Sequence, residues 1–211
     1  HLSTMPSFKL TYFDGRTRAE VARQILYLAD VPFEDVRVSF ADWPSLKPTT
    51  PFGQLPVLEV DGELLPTSFS IFRYLAKEFG FAGQNAFETA WVDALADQHA
   101  DYFMEIRSLF FVIWGFAEGD RTSLVKEVGI PARDKYFPLL EKIAKDNGLN
   151  GHFVGESLTW VDLLIAEHVG TIHQHLPGFL SAYPNVIKTV NTINSTPRLK
   201  KWIEKRVPTP F

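Results

Sequence analysis

The spacing of apolar residues changes once along this chain and does not change back. Up to about residue 65, short runs alternate apolar and polar positions and enclose a segment whose apolar residues recur every three or four; after Phe87 the alternation fades and only the helical spacing is left. Such an order cannot be spread over one sheet. It calls for a small α/β unit followed by an all-helical one. A chain of 211 residues, 45% of them hydrophobic, has material for two modest cores.

Phe8, Leu10 and Tyr12 alternate with Lys9 and Thr11, which predicts a strand. Ala22, Ile25, Leu26 and Ala29 then predict a helix that Val31-Pro32 stops, and Val36, Val38 and Phe40 a second strand, completing a βαβ unit. Prolines at 44, 48, 51 and 56 make residues 41–56 an ordered loop. Residues 57–60, the Asp61-Gly62 turn and residues 63–65 read as a hairpin. Ser68 is expected to cap a helix that turns Ile71, Phe72, Leu75 and Phe79 inward and ends at Gly80. The expected division is an α/β domain over residues 6–80, a linker over 81–87 and an all-helical domain over 88–211. Within the last, helices are expected near 88–117, 123–145, 159–176, 185–194 and 199–205.

Composition narrows the chemistry. The formal net charge of −4 gives no global positive field for nucleic acid or an anionic membrane, so neither is expected as a partner. Cysteine is absent, which removes disulfides, thiolate metal sites and redox chemistry on the chain's own sulfur; any thiol must arrive with a ligand. No apolar run reaches roughly 18 residues, the length that spans a bilayer. His1 to Met5 lack the ordered regions of a signal peptide, and Met5 reads as the natural start. Asn194-Ser195-Thr196 is a formal glycosylation sequon, expected to go unused without a secretory signal. His173 and His175 stand two apart, which does not bring both to one helix face, and no metal site is expected there.

Four segments carry a family pattern: Tyr12-Phe13-x-x-Arg16-x-Arg18-Ala19-Glu20 at the first turn, "ADWPSLKPTTPFGQLPVLEVDG", "TSFSIFRYLAKEFG" and "GESLTWVDLLIAE". In this order and at these spacings the chain resembles a cytosolic glutathione transferase over essentially residues 6–205. The tyrosine with the Asp42-Trp43-Pro44 loop is most similar to the sigma class, including its nematode members and the glutathione-dependent prostaglandin D synthases. The resemblance implies the glutathione transferase fold, a thioredoxin-like βαβ-ββα domain followed by all-α. It also implies a cytoplasmic homodimer, glutathione as co-substrate and no required metal. The implied activity is conjugation of the glutathione thiolate to small hydrophobic electrophiles. Two alternatives accompany it: prostaglandin H to D isomerisation, and non-catalytic carriage of haem or other apolar ligands.

The site residues follow from the same resemblance. Tyr12 would donate its phenol hydrogen to the thiolate, with Arg18 supplying positive potential, while Arg16 and Glu20 would be structural. Trp43 and Lys47 would hold the glycyl end; Gly53, Gln54, Leu55 and Pro56 would present backbone to the cysteinyl unit across a cis Leu55–Pro56 bond; Thr67 and Ser68 would meet the γ-glutamyl carboxylate. Thr67 departs from the Gln or Glu usual before that serine and is shorter by two atoms. Asp101 would reach the glutathione amine of a partner subunit, and Phe52 matches an aromatic position that other classes insert into the partner. Asp93, Asp97 and Asp101 recur every four residues, but Ala100 replaces an acidic position of the family's ion site, so no metal is expected. Phe13, Met104, Ser108, Phe111 and Phe211 are candidates for the wall of the electrophile site. Thr159-x-x-Asp162 has the form of a capping box and is assigned no chemistry.

Overall fold

The computed structural model describes residues 6–209 and 211; the reading of Met5 as the start lies outside the described residues. The chain forms two compact units, one running to Phe81 and taking in Pro197–Thr209 and Phe211, the other covering Ala82–Thr196.

In the first unit, β1 (Phe8–Phe13) leads to α1 (Glu20–Leu28) and β2 (Glu34–Val38). Next come α2 (Trp43–Leu46), a 3-10 turn over Lys47–Thr49, the hairpin of β3 (Val57–Val60) and β4 (Glu63–Pro66), and α3 (Ser68–Phe79). The sheet order is β2-β1-β3-β4, with β1 parallel to β2 and antiparallel to β3. Leu10, Leu58, Ile25, Leu26, Ile71 and Leu75 are fully buried and form its core. At the hairpin, Asp61 and Gly62 both have positive φ, 49° and 90°, the geometry of a two-residue turn between twisted strands.

Two expectations change here. Phe40 is not part of a strand: the ladder ends where Phe13 pairs with Val38, and beyond it Phe40 is 57% exposed. Residues 41–56 are not loop throughout, because Ser39 organises a helical turn. Its hydroxyl donates to Asp42 Oδ2 at 2.6 Å and its carbonyl accepts from Trp43 N at 3.1 Å. Pro44 sits in the first turn of α2, where no N–H is needed.

The second unit holds α4 (Ala86–Ile113), α5 (Arg121–Leu124), a π-helical turn over Val125–Gly129, α6 (Ile130–Asp146), α7 (Trp160–His175) and α8 (Pro184–Asn194). Asn85 starts α4 inside the expected linker by accepting from Phe87 N and Glu88 N at 3.0 and 2.9 Å. The helix ends at Ile113, before a turn in which Gly115 takes φ 76°, rather than running to Ala117. The expected 123–145 helix is interrupted by the π turn. The capping box is formed: Asp162 Oδ2 accepts from Thr159 N at 2.8 Å, and Oδ1 accepts from Phe153 N at 2.8 Å. Between α4, α6 and α7 lies a buried ring cluster in which Tyr102 stacks on Tyr136 at 4.5 Å. His99 Nδ1 lies 3.2 Å from the Tyr136 hydroxyl, and His168 Nε2 the same distance from that of Tyr102. Burial pushes the His168 imidazolium pKa well down and both phenols up, with His99 adding to the effect on His168.

The last helix, α9 (Pro197–Lys205), makes its contacts with the α/β unit and groups with it. The reason is polar as well as apolar. Trp202 Nε1 and Arg206 Nη1 donate to Glu20 Oε1 on α1 at 2.7 and 2.9 Å, and Arg198 Nη2 reaches the Tyr27 carbonyl at 2.8 Å. The Trp202 and Tyr27 rings meet at 5.0 Å.

Candidate functional site

The site starts where β1 runs out. Gly15 N donates back to the Phe13 carbonyl at 2.7 Å, Arg16 N to the Phe211 carbonyl at 2.6 Å, and Ala19 N and Glu20 N both to Arg16 O, so the chain turns tightly into α1. A Cβ on Gly15 would collide with the Phe211 ring, so only glycine lets the tail lie there. Arg23, fully buried on α1, anchors the same turn from beneath. Its Nη1 donates to Gly15 O at 2.7 Å and lies 3.3 Å from Glu20 Oε2, while its Nε donates to Asp35 Oδ1 on β2 at 3.0 Å. Asp35 in turn accepts from Arg37 Nε at 3.1 Å, and Arg37 reaches Asp14 on the turn at 2.8 Å. The Arg37 guanidinium pKa is raised: burial opposes its charge, but the hydrogen bonds and charges of Asp14 and Asp35 outweigh that.

On this frame Tyr12 is 6% exposed, and its hydroxyl lies 2.7 Å from Thr17 Oγ1. Sequence reasoning passed over Thr17, because position in an irregular turn leaves no periodic signal. Arg18 is exposed on the same turn. Glu20, expected to be structural, is 1% exposed and joins α1 to α9.

Phe13 begins an aromatic surface. It stacks on Phe40 at 4.8 Å and meets the half-buried Trp43 edge-on at 5.5 Å, and Phe40 continues to Phe211 at 6.2 Å. Phe40 belongs to this cluster although its strand-like spacing hid it. Lys47 is exposed, and Gly53, with φ 61°, faces the Lys47 methylenes. Gln54 is exposed, Leu55 half-buried, and the Leu55–Pro56 bond is cis.

Ser68 does not cap α3. It is the first helical residue and is buried, and the N-cap position falls to Thr67, whose hydroxyl donates to Ser70 Oγ at 3.0 Å. Thr67 has φ 70° and ψ 134°, a region that a β-branched residue enters only under strain. The first turn of α3 offers backbone N–H groups that have no carbonyl a turn earlier to receive them, an arrangement that attracts a carboxylate.

In the second unit Asp101, Met104, Ser108 and Phe111 follow one another along one exposed stripe of α4. Arg107 sits beside it, 5.8 Å from the Phe111 ring centroid. Among the described residues, no group of three or more His, Asp or Glu is placed to hold a metal ion, and no helix is long and apolar enough to cross a membrane.

Glutathione S-transferase 1 of Ascaris suum is 48% identical over 207 residues, 98% of this chain and 100% of that protein. The chain belongs to the glutathione S-transferase family. The family's N-terminal domain matches residues 8–77 of this transferase and its C-terminal domain residues 112–206. Among solved structures, the transferase is similar to a monomeric glutathione S-transferase, Na-GST-3, of the hookworm Necator americanus. That structure has a TM-score of 0.94 at 47% identity, covering 97% of this chain and 100% of that one. It is also similar to a Nu-class transferase of Haemonchus contortus, with a TM-score of 0.90 at 47% identity over 98% and 100%.

Proposed function

We propose that the chain conjugates the thiol of glutathione, its co-substrate, to small hydrophobic electrophiles, with Tyr12 as the group that stabilises the thiolate. The single observation that carries the assignment of Tyr12 is its setting: a nearly buried phenol at the end of β1, on a turn fixed through Gly15, Arg16 and Arg23. A thiol titrates near 8.5, so only a few per cent is thiolate at neutral pH, and lowering that value by about two units takes roughly 2.7 kcal/mol. A phenol held in place donates its hydrogen to sulfur without reorganising first, which is what makes one donor worth so much. The thiol proton leaves to solvent, the thiolate forms the carbon–sulfur bond, and with an aryl halide the halide departs with the bonding pair. Arg18, exposed on the same turn, contributes positive potential.

For the rest of the peptide, Trp43 and Lys47 suit the glycyl end, with Lys47 as the cation for its carboxylate. Gly53, Gln54, Leu55 and Pro56 suit the cysteinyl backbone, and Thr67 and Ser68 at the start of α3 suit the γ-glutamyl carboxylate. The Phe13, Phe40, Trp43 and Phe211 rings form an aromatic cluster fit to meet an apolar electrophile, and on their own unit the exposed Met104, Ser108 and Phe111 are further candidates for the wall of its site. By the same reading the enzyme uses sigma-type tyrosine chemistry, is cytoplasmic, and acts as a homodimer in which Asp101 meets the glutathione amine of the partner subunit; light scattering that finds only monomer would remove the last element.

Tyr12→Phe tests the central claim. Glutathione affinity should stay within a few-fold while conjugation of a generic aryl halide falls about 10- to 1,000-fold, the range for losing one preorganised donor. The pH-rate profile should move toward that of the free thiol. An unchanged rate at pH near 6.5 excludes Tyr12 from the mechanism.

A further inference from the structure

The contact between Tyr12 and Thr17 has a direction that the chemistry decides. The two oxygens are 2.7 Å apart, and either could be the donor. A phenol carries one hydrogen. If that hydrogen goes to the glutathione sulfur, as the proposed function requires, the contact with Thr17 persists only with the threonine hydroxyl donating to the phenol oxygen. We infer that Thr17 is a positioning residue for the reaction: its hydroxyl donates to the Tyr12 oxygen, aims the phenol hydrogen at the thiolate and strengthens that hydrogen bond.

The physical basis is twofold. A hydroxyl that accepts one hydrogen bond is polarised and donates the next more strongly, so the chain Thr17 to Tyr12 to sulfur exceeds its isolated links. An O–H rotor with its lone-pair side already engaged also has fewer directions in which to point, and the donor is preorganised before the ligand arrives. The turn makes both effects available. Thr17 is half-buried between Arg16, whose N–H is held by the Phe211 carbonyl, and the start of α1, so its hydroxyl is delivered to Tyr12 by backbone that cannot easily swing away.

Other charges surround the turn and also act on a bound thiolate. Arg16 and Arg18 lie on it, Asp14 pairs with Arg37 of β2, Arg23 of α1 pairs with Glu20 and Asp35, and Arg206 near the chain end pairs with Glu20. Thr17→Val leaves all of them in place and matches threonine in shape, so a difference between variant and wild type reports the hydroxyl.

The inference rests on the proposed role of Tyr12, and the experiment separates the two. The glutathione complex of the full chain is titrated by the ultraviolet absorbance of its thiolate, for wild type, Thr17→Val, Thr17→Ala, Thr17→Ser, Tyr12→Phe and the Tyr12→Phe, Thr17→Val double variant. Binding of S-methylglutathione, which has no thiol proton, is measured in parallel. Thr17→Val and Thr17→Ala should lower the thiolate fraction below the thiol pKa about two- to tenfold, the scale of one hydrogen bond. Thr17→Ser should restore it, S-methylglutathione affinity should stay within about twofold, and the double variant should be no worse than Tyr12→Phe. A purely structural role would weaken S-methylglutathione as well. If Tyr12→Phe raises the thiol pKa and neither hydroxyl-less variant does, Thr17 has no such role and the Tyr12 reading stands. If the hydroxyl-less variants lower the thiol pKa, Thr17 competes for the phenol hydrogen and the direction is overturned. If Tyr12→Phe changes nothing, the proposed function of Tyr12 fails first and takes this inference with it.

Discussion

Arg23→Met is the most demanding test of how the turn is held. Arg23 has no exposed surface, and its guanidinium ties together Glu20, Asp35 and the Gly15 carbonyl at 3.3, 3.0 and 2.7 Å. Methionine keeps the unbranched stem out to about the position of Nε but removes the cation and every donor. Breaking a buried ion pair by deleting one partner costs about 3–5 kcal/mol, because the other charge stays behind in a poor solvent. Here Glu20 keeps Trp202 and Arg206 as donors, which puts its share at or below the lower end of that range. The Gly15 carbonyl, left without its donor, adds about 1 kcal/mol. A loss of about 3–4 kcal/mol is expected, or a Tm lower by about 6–16 °C at roughly 2–4 °C per kcal/mol for a chain of this size. Urea unfolding followed by tryptophan fluorescence, with thermal scans beside it, measures both. Asp35→Asn is the contrast: Asp35 is 24% exposed on its side chain, its amide oxygen can still accept from Arg23, and Glu20 still faces that cation, so the cost should stay at about 1–2 kcal/mol. Glu20→Gln combined with Arg23→Met should couple by about 0.5–3 kcal/mol. A loss below about 1 kcal/mol for Arg23→Met would refute the argument, since the turn would then be held by packing alone.

Thr67 and His168 carry the remaining expected outcomes. Thr67 occupies φ 70°, so Thr67→Gly should stabilise the chain by about 1 kcal/mol through relief of strain, and Thr67→Gln, which removes the β-branch and restores reach, should tighten glutathione by up to about 1 kcal/mol; weaker glutathione binding by the Gln variant in calorimetry would show that the loop is already adapted to threonine. Burial and the neighbouring His99 depress the His168 pKa, so the unfolded chain binds the proton more readily: stability is fully present above the unfolded value near 6.5 and falls as pH drops from there toward the folded value, by up to about 1.4 kcal/mol per pH unit. Urea midpoints from pH 7.5 to 5, in steps of about half a unit, should show that slope in wild type and a shallower one in His168→Gln; identical slopes would remove His168 as the cause.

Much of the α/β unit was legible because its signals are local. The alternation of Phe8, Leu10 and Tyr12 marks a strand with one buried side, and Asp61-Gly62 can hardly join two strands except by a turn with positive φ. Gly80 ends α3 in the left-handed conformation, and Thr159 with Asp162 closes a capping box within one helical turn. For the segment around Tyr12, motif and spacing name candidate residues without saying how they meet.

What the sequence left open depends on partners distant along the chain. Alternation carried the second strand on to Phe40, but a strand ends where its neighbour does, and β1 stops at Phe13. Helical period marks Arg23 as a position on α1 and says nothing of burial; it is buried because Asp35, Glu20 and a turn carbonyl all present oxygen to it. The last helix reads as a continuation of the helical domain, and its contacts with the α/β unit come from the buried carboxylate of Glu20, 182 residues before Trp202, and from Tyr27. By itself the sequence determined where the apolar faces of most strands and helices lie and which short segments must turn, because side-chain period and backbone permission are properties of neighbours in the chain. Which charges are paired, which hydroxyl stands behind Tyr12 and which unit the C-terminal helix joins were decided by the tertiary structure, because a buried polar atom takes whatever partner the fold brings within about 3 Å.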